Sequence, residues 1–389
     1  MRLNLILIFV LSFWYSIAIA GEFESFINQI KSQAVSKNIS TQTLTILDNI
    51  TPNPRIMELD NSQAEFSLNF WQYINSRVSP NRVLIGSQKI KNNRQLFTEV
   101  YQEYGIPKHI LIAFWGLESN FGANTGSFDL VRSLTTLAFD KRRRSFFTSQ
   151  LLTTLKLIDE NKLNANTKSS WAGAMGSVQF MPTNVATYGI DKDGDGVINL
   201  WTSESDIFHS AANFLSKIGW NQGETWGREV IIPANFDYSL ADLSIKKNLV
   251  EWDKIGVLNA NSSQLPKSEL RASLVLPMGY KGPAFLVYRN FRAILNWNRS
   301  TLYALSVGIL ADKLIGKSLQ APFIFEPKIS KTQIKFAQQS LNDSGFDVGK
   351  VDGIAGRMTR KMVRKYQLHN NLKADGYIGL ELLNFMNND

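Results

Sequence analysis

Along most of the first 220 positions, apolar residues recur at the three- and four-residue spacing of helices. Through 24–105 these stretches are amphipathic and are interrupted by "TPNPR" at 51–55. At 107–122, "PKHILIAFWGLESNFG", the polar face disappears. Pro107 suits a first helical turn and Gly122 suits a helix end. Between them Ile110, Leu111, Ile112, Ala113, Phe114, Trp115 and Leu117 cover every side, so the spacing predicts a helix buried all round. From 228 the texture changes. "REVIIPANFDYSL" and "RASLVLPM" carry short β-branched runs broken by Pro and Asn, which predicts a small β-containing insert at about 228–285. Helical spacing returns in "AFLVYRNFRAILNWN" and "STLYALSVGILADKLIG". Residues 317–331 hold two prolines and no period, and read as a linker. The remainder, 332–389, reads as three short helices separated by turn-rich loops, with Asp-Gly pairs at 352–353 and 375–376. No long repeat stands out. The predicted fold class is mainly α, with one β-containing insert and a separate three-helix module.

The chain opens with Arg2, an apolar run from Leu3 to Ile17, and Ala18-Ile19-Ala20 before Gly21. That is the layout of a signal peptide over 1–20, which predicts an exported, periplasmic protein. An uncleaved N-terminal anchor is the alternative reading. Cysteine is absent, so disulfides and a lipid-bearing cysteine are excluded. With three scattered histidines (His109, His209, His369), a Cys/His zinc site is excluded too. The formal charge is +9, or +8 once Arg2 leaves with the signal. A basic exported protein suits an anionic polymer or surface. Nucleic acid is not expected, because no aromatic-interleaved basic stripe is present. Simple solubility explains the charge equally well.

Glu118 is the anomaly of the apolar helix. It falls in the last turn, facing the negative end of the helix dipole. Burial and that dipole both raise a carboxyl pKa, and a neutral carboxylic acid is what a general acid requires. A solvated Glu at a frayed end, or one paired with a basic partner, is the plainer reading. A second stretch, "SSWAGAMGSVQFMPTNVATYG" (169–189), brings small residues that let backbone approach a ligand, with Gln179 as a neutral donor and acceptor in an apolar run. A third, "DKDGDGVINLWT" (191–202), has calcium-loop spacing: Asp191, Asp193 and Asp195 at loop positions 1, 3 and 5, Gly196 at the turn and the Val197 carbonyl at position 7. Asn199 stands at position 9. Position 12 is Thr202 instead of Glu, which leaves Asp206 or Glu204 to close the sphere. An Asp/Gly-rich turn without a metal is the alternative.

Taken together, "YGIPKHILIAFWGLESNFGANTGSFDLVRSLTTLAFDKRRRSFF", "WAGAMGSVQFMPTNVATYGIDKDGDG" and "WNRSTLYALSVGILADKL" resemble the lytic murein transglycosylases of the membrane-bound-B type, glycoside hydrolase family 103. The resemblance covers about 24–315. The tail, in "LNDSGFDVGKVDGIAGRMTRKMVRKYQ" and "LKADGYIGLELL", resembles the type-1 peptidoglycan-binding domain. The resemblance implies a lysozyme-like catalytic domain over 21–316, the linker 317–331 and a wall-binding domain over 332–389. It implies a carbon–oxygen lyase that cuts the MurNAc–GlcNAc β-1,4 bond of peptidoglycan without water and leaves 1,6-anhydromuramoyl ends. A hydrolytic muramidase and an inactive wall-binding scaffold are the rival readings.

By the same resemblance Glu118 is the catalytic acid and base. Ser170, Gln179 and Tyr73 match cleft-lining positions, and Asn298 and Tyr303 match groups near the reacting centre. Arg142 and Arg143 match a pair that meets the anionic stem peptide. Core packing for the tyrosines and a solvated face for "KRRR" are the plainer readings. Where some members carry a tyrosine, this chain has Phe214 after Asn213, which puts one hydroxyl contact in doubt. Some members of the family bind calcium at this loop, so structural Ca2+ is expected at Asp191, Asp193, Asp195, Val197 and Asp206, with no organic cofactor. The family implies peptidoglycan glycan strands as the partner; proteins of the cell-wall machinery are candidate further partners, and a monomer is expected. One local feature agrees with the chemistry. Ordinary glycosidases use two carboxylates, yet no second acid follows Glu118 until Asp129.

Overall fold

The computed structural model describes residues 21–61 and 68–388, so the expected signal segment 1–20 lies outside the described residues. The chain is mainly helical, and its residues gather into two units: one takes residues up to 62 together with 118–214, the other 63–117 together with 215–389.

In the first unit the central element is the helix Leu130–Phe139, capped by Asp129, whose side chain accepts from Arg132 N–H. Leu130, Val131, Leu134, Leu137 and Ala138 are buried on it. The buried hydroxyls of Thr135 and Thr136 are satisfied locally, donating to the carbonyls of Val131 and Arg132 at 2.7 Å. The helix Arg144–Asp159 packs alongside through Phe147, Leu151 and Leu155. Its buried Gln150 accepts from both the N–H and the hydroxyl of Thr183 at 3.1 Å. That amide fixes the start of the helix Pro182–Tyr188, where Pro182 fills the first turn.

In the second unit the helix Thr301–Leu314 is buried continuously from Tyr303 to Ala311. The expected insert is present as a five-stranded antiparallel sheet. Its order is Lys247–Asn248, Arg271–Val275, Ala284–Val287, Gly227–Ile231, Leu258–Asn259. The register pairs Gly227 with Val287 and Val230 with Ala284 on one side, and Ser273 with Val287 on the other. One face buries Val230, Leu274 and Leu286 against Phe236, Trp252 and Val257. Trp252 is wholly buried and its indole N–H donates to the Ala272 carbonyl at 3.1 Å.

The C-terminal helices Lys331–Asp343, Arg357–His369 and Leu380–Asn388 enclose a core of their own, with Ile334, Leu341, Val363, Tyr366 and Leu382. They also dock onto the insert. Arg364 donates to the Asp242 carboxylate at 2.7 Å and to the Ala241 carbonyl at 2.5 Å. Tyr280 N–H donates to Asp375 at 2.9 Å, and Lys281 pairs with Glu381 at 2.7 Å. Residues 317–330 form neither helix nor strand, yet they are held in place. Glu229 accepts the N–H groups of Gln320 and Ala321 at 2.7 Å, and the Glu326 carbonyl accepts from Asn69 at 2.7 Å. Distant side chains hold the segment, so it has no local period for the sequence to display.

Candidate active site

Glu118 lies in the final turn of the helix Lys108–Ser119, as the apolar run predicts. Ile110 to Leu117 are buried, Glu118 is half-buried and Ser119 is buried. The backbone then turns sharply. Asn120, Phe121 and Gly122 have φ of 51°, 59° and 85° in succession. Glycine takes this left-handed region freely, but for Phe121 it is strained and must be enforced by its surroundings. Ser119 does much of the enforcing. Its hydroxyl donates to the Ser177 carbonyl at 2.6 Å and accepts from Gly122 N–H at 2.9 Å. Asn124 N–H then closes onto the Ser119 carbonyl at 2.8 Å. The acid-bearing turn is thereby bonded to the glycine-rich loop.

That loop is itself tightly wound. Ser170 accepts from Ala174 N–H through its hydroxyl at 3.0 Å while Ser170 N–H donates to the Ala174 carbonyl at 2.8 Å. Met175 and Phe180 exchange a pair of backbone bonds at 2.9 and 3.0 Å. Gln179 sits between them with φ 50°, and its amide donates to the Gly176 carbonyl at 2.9 Å. Gly126 lies directly on the Ser169–Ser170 peptide: a Cβ there would stand 2.0 Å from the Ser169 carbonyl carbon. Ser119, Ser170 and Gln179 therefore share one hydrogen-bonded framework, and Glu118 is the residue next to its anchor.

The other expected site residues are placed as follows. Arg142 and Arg143 both turn to the buried carboxylate of Asp60, Arg142 in a close ion pair and Arg143 at 3.7 Å. Both guanidinium side chains remain about half exposed. Phe214 is buried, stacked on Tyr188 at 4.6 Å and edge-on to Phe180 at 5.3 Å. The ring thus serves packing where a hydroxyl was in question. Tyr73, Asn298 and Tyr303 belong to the second unit. Both tyrosines are buried, Tyr73 with Arg77 over its ring at 5.4 Å and Tyr303 beside Phe114 at 6.3 Å. Asn298 closes the helix Arg289–Trp297, and its side chain accepts from Ser300 N–H at 3.1 Å.

In the 191–206 loop, carboxylate oxygens of Asp191, Asp193 and Asp206 lie within 4.8 Å of one another. Asp206 is fully buried and accepts from Lys192 N–H and Asn199 N–H, both at 2.9 Å. Asp191 accepts from Gly194 and Gly196 N–H at 2.8 Å. Asp195 is outside this convergence and accepts from Val197 N–H at 2.8 Å. Asn199 caps Trp201 and Thr202 through its side-chain oxygen. Three convergent carboxylates and no nitrogen or sulfur donor make a set suited to a hard divalent cation.

Sequence reasoning missed two residues here. Neither Ser119 nor Asp60 was singled out. A serine one residue before the left-handed Asn120 carried a usable signal; the Asp60 contact spans 82 positions and had none.

Comparison with known proteins gives a consistent set of relatives. The family described as Transglycosylase SLT domain matches residues 22–312, and the peptidoglycan binding domain family matches 330–386. The membrane-bound lytic murein transglycosylase B of Escherichia coli K12 is 28% identical over 284 residues, 72% of this chain and 75% of that protein. The crystal structure of SltB3 from Pseudomonas aeruginosa with NAG-anhNAM-pentapeptide superposes with a TM-score of 0.89 at 40% identity, covering 94% of this chain and 99% of that one. The lytic transglycosylase Slt35 of Escherichia coli, in complex with calcium, superposes with a TM-score of 0.63 at 27% identity over 74% and 92% of the two chains.

Proposed function

The chain belongs to the transglycosylase SLT-domain family, and from that premise we propose how its own residues carry out the reaction. It is a lytic murein transglycosylase with a lysozyme-like, mainly α fold. It cleaves the MurNAc–GlcNAc β-1,4 bond and closes the muramoyl C6 hydroxyl onto C1, leaving a 1,6-anhydromuramoyl end. The observation that carries the reading is the likeness to SltB3 across almost the whole chain, a protein seen with both NAG-NAM-pentapeptide and NAG-anhNAM-pentapeptide.

Glu118 is the proposed acid and base. Its carboxyl proton goes to the glycosidic oxygen as the C1–O bond breaks. The resulting carboxylate then takes the C6 hydroxyl proton as that oxygen bonds to C1. Protons balance within one residue and one sugar, so no second carboxylate is needed. The internal hydroxyl replaces water at an effective concentration of roughly 10⁵ M or more when well placed. Glu118 stands at the end of a helix buried from Ile110 to Leu117, which fixes the backbone that carries the carboxyl. Gln179 and Ser170 line the sugar beside it in this reading. Tyr73, Asn298 and Tyr303 are the substrate contacts proposed on the second unit. Arg142 and Arg143, already turned to a carboxylate, offer the exposed half of their guanidinium groups to the stem peptide.

Ca2+ is the proposed structural ion of the loop, with Asp191, Asp193 and Asp206 as its carboxylate ligands and Asp195 and the Val197 carbonyl beside them. The convergence of the first three supports this. The ion would lock the loop whose Leu200 carbonyl accepts from Ser177 N–H at 2.7 Å, and so stiffen the framework beside Glu118. No organic cofactor enters the reaction. The division proposed is a catalytic domain over 21–316, a connecting segment 317–331 and a wall-binding module over 332–389. The protein is proposed to work as an exported, periplasmic monomer, alongside the cell-wall machinery. Among the described residues no helix is long and apolar enough to cross a membrane.

Digestion of purified sacculi followed by mass analysis of the products tests the chemistry. Anhydromuramoyl ends are expected, and reducing ends in their place would establish a hydrolase.

A further inference from the structure

The C-terminal module is built twice from the same parts. Gln338, on the helix Lys331–Asp343, donates to Asp352 Oδ1 at 3.1 Å and accepts from Gly353 N–H at 2.8 Å. Asp352 Oδ1 also takes Ile354 N–H at 2.8 Å. Gln367, on the helix Arg357–His369, donates to Asp375 Oδ1 at 2.8 Å and accepts from Gly376 N–H at 2.8 Å. Asp375 Oδ1 likewise takes Tyr377 N–H at 2.9 Å. The two turn glycines rest on their helices at matching places. A Cβ on Gly353 would meet Lys331 and Lys335, and one on Gly376 would meet Arg360 and Arg364. Lys331, Lys335 and Gln338 each stand 29 positions before Arg360, Arg364 and Gln367. Little beyond the glutamines, the Asp-Gly pairs and the basic residues is shared, which is why no repeat is evident in the sequence.

The second copy is in use. Arg364 grips the Asp242 carboxylate and the Ala241 carbonyl. Asp375 Oδ2, the oxygen its own turn leaves over, accepts the backbone N–H of Tyr280. That copy holds polypeptide of the insert by a carboxylate, a carbonyl and an amide N–H. The first copy carries the same two functions with none of the described residues upon them. Lys335 is exposed and forms no ion pair among the described residues. Asp352 keeps Oδ2 over, and exposed Phe336 lies next to Lys335.

Resting on the reading that 332–389 binds the wall, we propose that the edge formed by Lys335 and Asp352 is the ligand site of this module, and that its ligand is the acidic stem peptide of peptidoglycan. Lys335 takes a peptide carboxylate as Arg364 takes Asp242. Asp352 accepts a peptide N–H as Asp375 accepts that of Tyr280. Lysine is a point charge without arginine's fork, and exposed ion pairs are individually weak. A weak, reversible contact suits a module that raises the local concentration of substrate.

The test uses the full chain with Glu118→Gln, so that the probe survives. Hydrogen exchange is followed with a soluble disaccharide tetrapeptide and with the same disaccharide stripped of peptide. Protection over 331–356 is expected with the peptide-bearing probe alone. Lys335→Glu should weaken sacculus binding about fivefold, with Lys361→Glu, another exposed charge of the module, within about twofold of the parent. Equal protection by the stripped disaccharide would overturn the peptide assignment. Protection elsewhere in 332–389, with 331–356 unchanged, would overturn this site while leaving wall binding by the module intact. Protection nowhere in 332–389, with no effect of Lys335→Glu, would overturn both.

Discussion

The Ser119 hydroxyl donates to the Ser177 carbonyl at 2.6 Å, and through that bond the turn that follows the proposed catalytic acid is fastened to the loop that carries Gln179. The same hydroxyl accepts from Gly122 N–H, so one buried oxygen serves both partners. Ser119→Ala leaves a buried carbonyl and a partly buried N–H without it. Unpartnered buried groups cost about 1–3 kcal/mol each, so a destabilisation of about 2 kcal/mol is expected by denaturant titration. Turnover of sacculi should fall more steeply than binding, because the acid loses its fixed position while the module's grip on the wall is untouched. An unchanged turnover rate would show that the framework does not position Glu118.

Glu118→Gln keeps the shape of the side chain and removes its proton. With no second acid near it in the chain, release of anhydromuropeptides should drop by at least about a thousandfold, near the limit of detection. The melting temperature should stay within about two degrees of the parent. Release at the parental rate would remove Glu118 from the mechanism.

Legibility in the sequence followed the physical range of each interaction. The helix Lys108–Ser119 was readable because its apolar residues are consecutive, and the insert because strands carry β-branched runs. The loop acids stood out by their calcium-loop spacing, and in the structure Asp206 converges with Asp191 and Asp193. Asp195 has the same spacing credentials but lies outside the convergence, since spacing fixes backbone order and leaves side-chain direction open. The pairing of Arg142 with Asp60 and the docking of Arg364 on Asp242 join residues 82 and 122 positions apart. Such contacts leave no periodic trace. The duplication in the tail escaped because hydrogen bonds to backbone define it, and these constrain few residue types.

The carboxylate convergence predicts calcium-dependent stability. A ligand that binds only the folded state at a hundred times its Kd adds about 2.7 kcal/mol. Calcium should therefore raise the melting temperature by several degrees and EDTA should reverse the rise. Asp193→Ala, which removes the most exposed of the three acids, should abolish the calcium response while leaving the metal-free melting temperature nearly unchanged. A wild-type melting curve indifferent to calcium would make the loop a turn.

His109 supplies a pH dependence of known sign. Burial first, and the charges of Lys317 and Lys108 after it, lower its pKa from 6.5 to about 4. The folded state thus refuses a proton that the unfolded chain accepts between those values. Stability is undisturbed above pH 6.5 and is lost as pH falls toward 4, by up to about 3 kcal/mol. His109→Gln should flatten that part of the profile. The measurement is the difference in unfolding free energy between parent and variant from pH 7 to 4, which cancels the carboxylates titrating in the same range. A difference that stays constant with pH would mean that His109 ionises alike in both states.

Docking of the C-terminal module predicts a measurable coupling between Arg364 and Asp242. The two side chains are about four-fifths buried and 2.7 Å apart, and Arg364 also satisfies the Ala241 carbonyl. Enclosure in a partly dry interface makes such a pair stronger than a solvated one, and it also makes either partner costly to leave alone. Arg364→Ala and Asp242→Ala should each destabilise by about 1–3 kcal/mol, with the double variant less affected than the sum by about 1 kcal/mol or more. A merely tethered module would give no coupling, because residues that do not meet contribute independently. The contrast also bears on the wall. Where the second Asp-Gly turn is held by the insert, undocking frees Asp375 for the same kind of peptide N–H contact that Asp352 offers. Arg364→Ala should then loosen the module from the insert without lowering sacculus binding. A parallel loss of stability and of wall affinity in Arg364→Ala would instead assign the wall contact to the second turn, with the insert as its competitor.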